Sequence, residues 1–98
     1  MKKKLKIEIE QEALKEIDQG YEWYEKKLTG LGSEFKEEVD NSFKLILSSS
    51  NGYKKFGKHR QFPLNRFPYV ILYEITKSVL YIDAVFHTSQ DPKKKTSR

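Results

Sequence analysis

Apolar and charged positions alternate through residues 4–10, with Leu5, Ile7 and Ile9 set against Lys4, Lys6, Glu8 and Glu10. A period of two sends one side of an extended chain into a core and the other into water, so this stretch predicts a half-buried strand. The period then lengthens. Leu14, Ile17, Tyr21, Tyr24 and Leu28 follow steps of three and four, which line one face of a helix. Gly20 lies inside that helix and weakens it by up to about 1 kcal/mol relative to Ala, which predicts a close neighbour at that point. Thr29-Gly30-Leu31-Gly32 predicts the helix end, with Ser33 as the N-cap of a second helix. Phe35, Val39, Phe43, Ile46 and Leu47 form the apolar face of that second helix. So short a link predicts an antiparallel helical hairpin.

Ser48-Ser49-Ser50-Asn51-Gly52 reads as a loop, because Ser, Asn and Gly compete with regular backbone pairing. Strand signals follow. Tyr53 to Phe62 mixes aromatics with cations, and Pro63 ends this strand or marks an edge. Phe67 to Ile75 is a stronger strand, with Tyr69, Ile71, Tyr73 and Ile75 on one side and Val70, Leu72 and Glu74 on the other. After the turn Thr76-Lys77-Ser78, Val79 to His87 completes a hairpin. Strict alternation puts Leu80, Ile82, Ala84 and Phe86 on one face and Val79, Tyr81, Asp83, Val85 and His87 on the other. The predicted order is β-α-α-β-β-β. It implies an α+β domain in which a helical hairpin covers one face of an antiparallel sheet, and the first strand returns to an edge beside a three-stranded meander.

At 98 residues and 11.6 kDa the chain is expected to form a single domain over residues 1–92, with 93–98 as a flexible basic tail. Six Tyr, six Phe and one Trp are too many aromatics for a disordered chain. Cysteine is absent, which excludes disulfides, thiolate metal sites and Cys nucleophiles. Two histidines far apart in sequence argue against a dedicated zinc site, so neither metal nor cofactor is expected. The longest apolar runs are four residues, so no membrane span is expected. The basic opening leads into no apolar h-region, which predicts a cytoplasmic protein without a secretory signal.

Charge changes the picture further. Residues 1–50 hold nine Lys/Arg against eleven Asp/Glu, and residues 51–98 hold ten against three. Lys54, Lys55, Lys58, Arg60 and Arg66 form a basic cluster without an acid, interleaved with Phe56 and Phe62. Such a surface can hold phosphates and stack bases, or attract an acidic protein; otherwise it is a solvated sheet edge. Segregation of the acids into the other half favours the acidic partner. His87 ends the last strand, where a neutral imidazole can serve as general acid or base or simply close the strand. Asp83 shares its expected face and reads as an ion-pair partner. Tyr73 offers a hydroxyl mid-hairpin, though a strand tyrosine usually packs. Glu22, Glu25, Glu34, Glu37 and Glu38 read as solvated helix faces. No phosphate-binding Gly loop, nucleophile elbow or His-Glu-x-x-His motif is present, which closes those enzyme classes.

Four stretches together carry a family likeness: Glu12-Ala13-Leu14-Lys15-Glu16-Ile17, Tyr21 to Tyr24, Phe35-Lys36-Glu37-Glu38-Val39, and Arg66-Phe67-Pro68-Tyr69-Val70-Ile71-Leu72-Tyr73-Glu74-Ile75 running on through Ile82-Asp83-Ala84-Val85-Phe86-His87. Over residues 4–92 the chain resembles the RelE/ParE superfamily, small bacterial toxins of type II toxin–antitoxin systems, the class tied to plasmid stabilisation. The resemblance implies one of two actions. RelE-type members are mRNA interferases, metal-independent endoribonucleases that bind RNA in the ribosomal A site and cut it through attack of the 2′-hydroxyl on the adjacent phosphate. ParE-type members share the fold, lack that acid–base set and poison DNA gyrase.

On the first reading, placed ahead here, His87 would supply acid–base chemistry. Arg60, Arg66 and Lys58 would stabilise charge on the phosphorane, and Tyr73 would match the family's strand tyrosine. Lys54, Lys55 and Lys58 would bind nucleic acid. Relatives carry an Arg near the place of Gln90, then a Pro and an aromatic; here Pro92 is followed by Lys93-Lys94-Lys95-Thr96-Ser97-Arg98. That departure motivates the alternatives of a non-enzymatic gyrase inhibitor or a degenerate member that binds only its antitoxin. All three imply an acidic, partly disordered antitoxin as partner.

Overall fold

The computed structural model describes residues 6–48, 55–56, 59–76 and 78–89, with backbone only at 55–56. Of the loop expected at 48–52, Ser48 is instead the last residue of a helix and 49–52 lie outside the described residues, as do Lys54, Lys58, Gln90 and the tail at 93–98. The elements run β1 (Lys6–Ile9), α1 (Gln11–Lys27), α2 (Leu31–Ser48), β2 (Lys55–Phe56), β3 (His59–Pro63), β4 (Tyr69–Ile75) and β5 (Val79–His87). They form the expected α+β arrangement, except that the single strand predicted over Tyr53–Phe62 is replaced by two strands, β2 and β3, which pair antiparallel with each other. One five-stranded sheet has the order β1-β5-β4-β3-β2. Pro63 is the last residue of β3, as expected of a residue with no N–H to give.

β1 sits at an edge, but it pairs parallel to β5, Ile7 opposite Leu80 and Ile9 opposite Ile82, so the sheet is mixed rather than antiparallel. Alternation specifies which side of a strand is buried and carries no information on the direction of its neighbour.

The buried face of α1 is turned from the expected stripe. Ala13, Glu16, Ile17 and Gly20 are buried, whereas Leu14 is 46% and Leu28 64% exposed. At Gly20 this face carries no side chain because α2 comes close: a Cβ there would lie 2.7 Å from Cε2 of Phe35. Phe35 is fully buried and joins Val39, Phe43 and Ile46 along the expected face of α2. Ser33 is not the cap, since α2 already begins at Leu31. Glu25 takes that role from α1, its carboxylate accepting hydrogen bonds from the N–H groups of Gly30 (2.8 Å) and Gly32 (2.9 Å). A carboxylate at a helix start satisfies orphan donors and complements the dipole. Gly30, with φ +93°, supplies the left-handed backbone that lets the two helices meet.

β4 divides as its alternation predicts, with Ile71 and Tyr73 in the core under the helices and Leu72 on the opposite face. β5 does not. Leu72 lies opposite Ala84 and Tyr73 opposite Ile82, so Asp83 is an extra residue in a β-bulge. Beyond it the faces exchange. Leu80, Ile82 and Val85 join the main core, while Ala84 and Phe86 pack with Leu72 on the far side. His87 therefore turns to the helix side, and Asp83 does not share its face.

Candidate functional site

The bulge delivers His87 to a groove of about 540 Å³ between α1 and the end of β5. Glu12, Glu16, Gln19 and Trp23 of α1 line one wall, and Tyr69 and His87 the other. Nδ1 of His87 accepts the N–H of Ser89 at 3.1 Å and lies 2.9 Å from its hydroxyl. As an acceptor, Nδ1 leaves the proton of the neutral ring on Nε2. The imidazole meets Tyr69 edge to face, centroids 5.3 Å apart. Burial raises the Tyr69 phenol above its ordinary value, with Tyr24 and Glu16 adding to the effect, so Tyr69 keeps its proton at neutral pH. Tyr69 in turn packs on Phe35 (4.9 Å) within an aromatic cluster completed by Tyr24 and Phe67.

Glu16 ties the two walls together. It is buried and accepts the N–H of Val85 at 2.8 Å, two residues before His87. Trp23 is 57% exposed, with the Lys27 ammonium 4.3 Å from its ring.

The remaining candidates do not gather at His87. Arg66 lies in the bend between β3 and β4 rather than on a strand, where its guanidinium Nη2 bonds Glu34 Oε1 at 2.5 Å. Glu38 accepts the backbone N–H groups of Asn65 and Arg66, fixing the bend on α2. The bond to Glu34 and its charge raise the Arg66 pKa. Its shallow surroundings, rich in Glu34, Glu37 and Glu38, share no residue with the His87 groove.

Arg60 is half-buried on β3 opposite Tyr73, whereas His87 lies opposite Tyr69 on the other side of β4. Four residues of strand separate those positions by roughly 13 Å, and the width of β4 adds to it. Tyr73 has no exposed surface and belongs to the core. Lys55 is placed in β2 by its backbone alone.

Sequence reasoning missed Tyr69, Glu12, Glu16 and Trp23 as neighbours of His87. The signal available for Glu16 was its i, i+4 spacing to Gly20, which puts it on the face of α1 that also carries Ala13 and Ile17.

Comparison with known families decides what kind of domain carries this groove. A family model described as the ParE toxin of the type II toxin–antitoxin system parDE matches residues 7–92. The chain belongs to the ParE toxin family. Among solved structures, a chain described as "Chromosomal ParDE TA system from P. aeruginosa" superposes with a TM-score of 0.76 at 14% identity, covering 85% of this chain and 95% of that one. At that identity the likeness is one of fold. No curated protein matches the sequence significantly. Among the described residues of this ParE-family chain, no helix is long and apolar enough to cross a membrane.

Proposed function

We propose that this chain is a toxin that inhibits DNA gyrase by binding it, in the cytoplasm, and that a cognate antitoxin neutralises it. The observation carrying this reading is the acidic wall at His87. A ribonuclease site must hold a phosphodiester beside its acid–base group, yet Glu12 and Glu16 line the groove that His87 enters. Two like charges about 4 Å apart repel by about 1 kcal/mol in water and about 4 kcal/mol at the effective dielectric of a protein surface. Arg66, expected from sequence to stabilise charge on the phosphorane, is instead paired with Glu34 away from this groove. The family match supports the same choice over the mRNA cleavage expected first from sequence. The basic run Lys54, Lys55 and Lys58 with Arg60 suits an acidic antitoxin that folds on binding.

The test pairs two assays on purified protein and its His87→Ala variant. Inhibited supercoiling by both proteins, with no new RNA 5′ ends inside translated frames after induction in bacteria, is the expected result. Unchanged supercoiling at saturating protein refutes it. New 5′ ends that vanish in His87→Ala would instead assign ribosome-dependent cleavage. Co-expression with the product of an adjacent gene should co-purify the pair.

A further inference from the structure

On the sheet face turned away from the helices, three strands bring together one imidazole and two carboxylates. The register that sets Arg60 opposite Tyr73 places His59 of β3 beside Glu74 of β4, and the bulge takes Asp83 of β5 out of the ladder next to both. Nε2 of His59 lies 3.1 Å from Oε2 of Glu74 and 3.1 Å from Oδ2 of Asp83. The His59 side chain is only 10% exposed and that of Asp83 16%. The three donor atoms fall within 4.8 Å of one another.

We infer that His59, Glu74 and Asp83 form a binding site for a first-row divalent cation of the zinc type, linking β3, β4 and β5. Two donors each about 2.1 Å from one ion lie about 3.0 Å apart at a right angle and about 3.4 Å apart in a tetrahedron. The spacing of 3.1 Å on both sides of His59 already falls in that interval.

Charge points the same way. Two carboxylates converge on one partly dry spot, and a dication offsets both while taking the Nε2 lone pair. An imidazole among the donors selects zinc, cobalt or nickel over magnesium or calcium, which prefer all-oxygen shells. Three protein donors leave at least one position for water or for a partner's side chain. The sequence argued against zinc because the two histidines are distant; here the second histidine is not needed, since β4 and β5 supply carboxylates. The site does not depend on which target the toxin takes.

The test uses the full chain stripped with a chelator, then titrated with Zn²⁺ alone by calorimetry and with Co²⁺ by visible absorption, which reports coordination directly. One ion per chain is expected, and the midpoint of thermal unfolding should rise on the order of 10 °C with zinc about 100-fold above its dissociation constant. Mg²⁺ should give no such rise. His59→Ala and Glu74→Gln should each abolish the cobalt band, while His87→Ala leaves it intact. Glu74→Gln, at a third-exposed position, decides the matter if His59→Ala fails to fold. Absence of saturable binding in the native chain, a band that survives in Glu74→Gln, or its loss in His87→Ala overturns the assignment.

Discussion

Gly20→Ala separates helix propensity from packing, because the two act with opposite sign at this position. In an exposed helix the change stabilises by up to about 1 kcal/mol. Here the added methyl would sit 2.7 Å from Cε2 and 2.8 Å from Cζ of Phe35, a residue with no exposed surface. Ordinary carbon contacts begin near ~3.5 Å, so the ring must retreat by roughly 0.8 Å. It has little room to do so. Tyr24, Phe67 and Tyr69 stand 5.4, 5.3 and 4.9 Å from its centroid.

Overpacking of this kind costs about 1–3 kcal/mol, and a fully buried ring closed in by three others puts this site at about 2–3, which leaves a net loss of about 1–2 kcal/mol after the propensity gain of about 1 kcal/mol. For a domain of this size that lowers the thermal midpoint by about 5–10 °C. Urea unfolding of Gly20→Ala should therefore show a lower midpoint with an unchanged slope. The double variant Gly20→Ala/Phe35→Leu should be more stable than the sum of the two single losses, because the smaller side chain makes room for the methyl. A Gly20→Ala protein as stable as the native one, or more so, refutes the close approach of the helices.

Two further perturbations probe the ties around the groove. Glu16→Ala removes the acceptor of the Val85 N–H and should cost about 1–3 kcal/mol, whereas Glu16→Gln keeps an amide oxygen and should lose less. Hydrogen exchange at the Val85 amide should quicken in the alanine variant, and unchanged protection would refute the bond. Burial raises the pKa of Tyr24 and Tyr69 above 10.0, so the folded chain binds more protons than the unfolded one just above that value. Their contribution is complete below pH ~10 and declines as pH climbs through the raised folded values. Denaturant midpoints between pH 9 and 11 should fall accordingly, less steeply in Tyr69→Phe; identical slopes in the two proteins would refute this origin.

Much of the site was legible as residue types but not as an arrangement. His87 was readable as the end of a strand, and the groove it enters was not, because that depends on one inserted residue. Asp83 looks like any alternating position in Val79–His87; only its lack of an opposite residue on β4 shows the bulge. Arg66 was readable as a cation near a strand, while its neutralisation by Glu34 required α2 to pass over the bend. His59 lies unremarked within the run Tyr53–Phe62, and its meeting with Glu74 and Asp83 needed the pairing of three strands.

By itself the sequence determined the order of elements, the face of α2 and of β4 that is buried, and the hairpin links, since hydrophobic period and turn chemistry are local. It also signalled the close approach at Gly20, because a glycine in mid-helix has a local cost that needs a packing reason. Only the tertiary structure decided the parallel docking of β1, the rotation of α1 onto Ala13, Glu16 and Gly20, and the exchange of faces beyond Asp83. Each of those depends on the partner an element meets. Strand direction, helix rotation and bulge position are settled by contacts between residues far apart in the chain, where the local pattern carries no information.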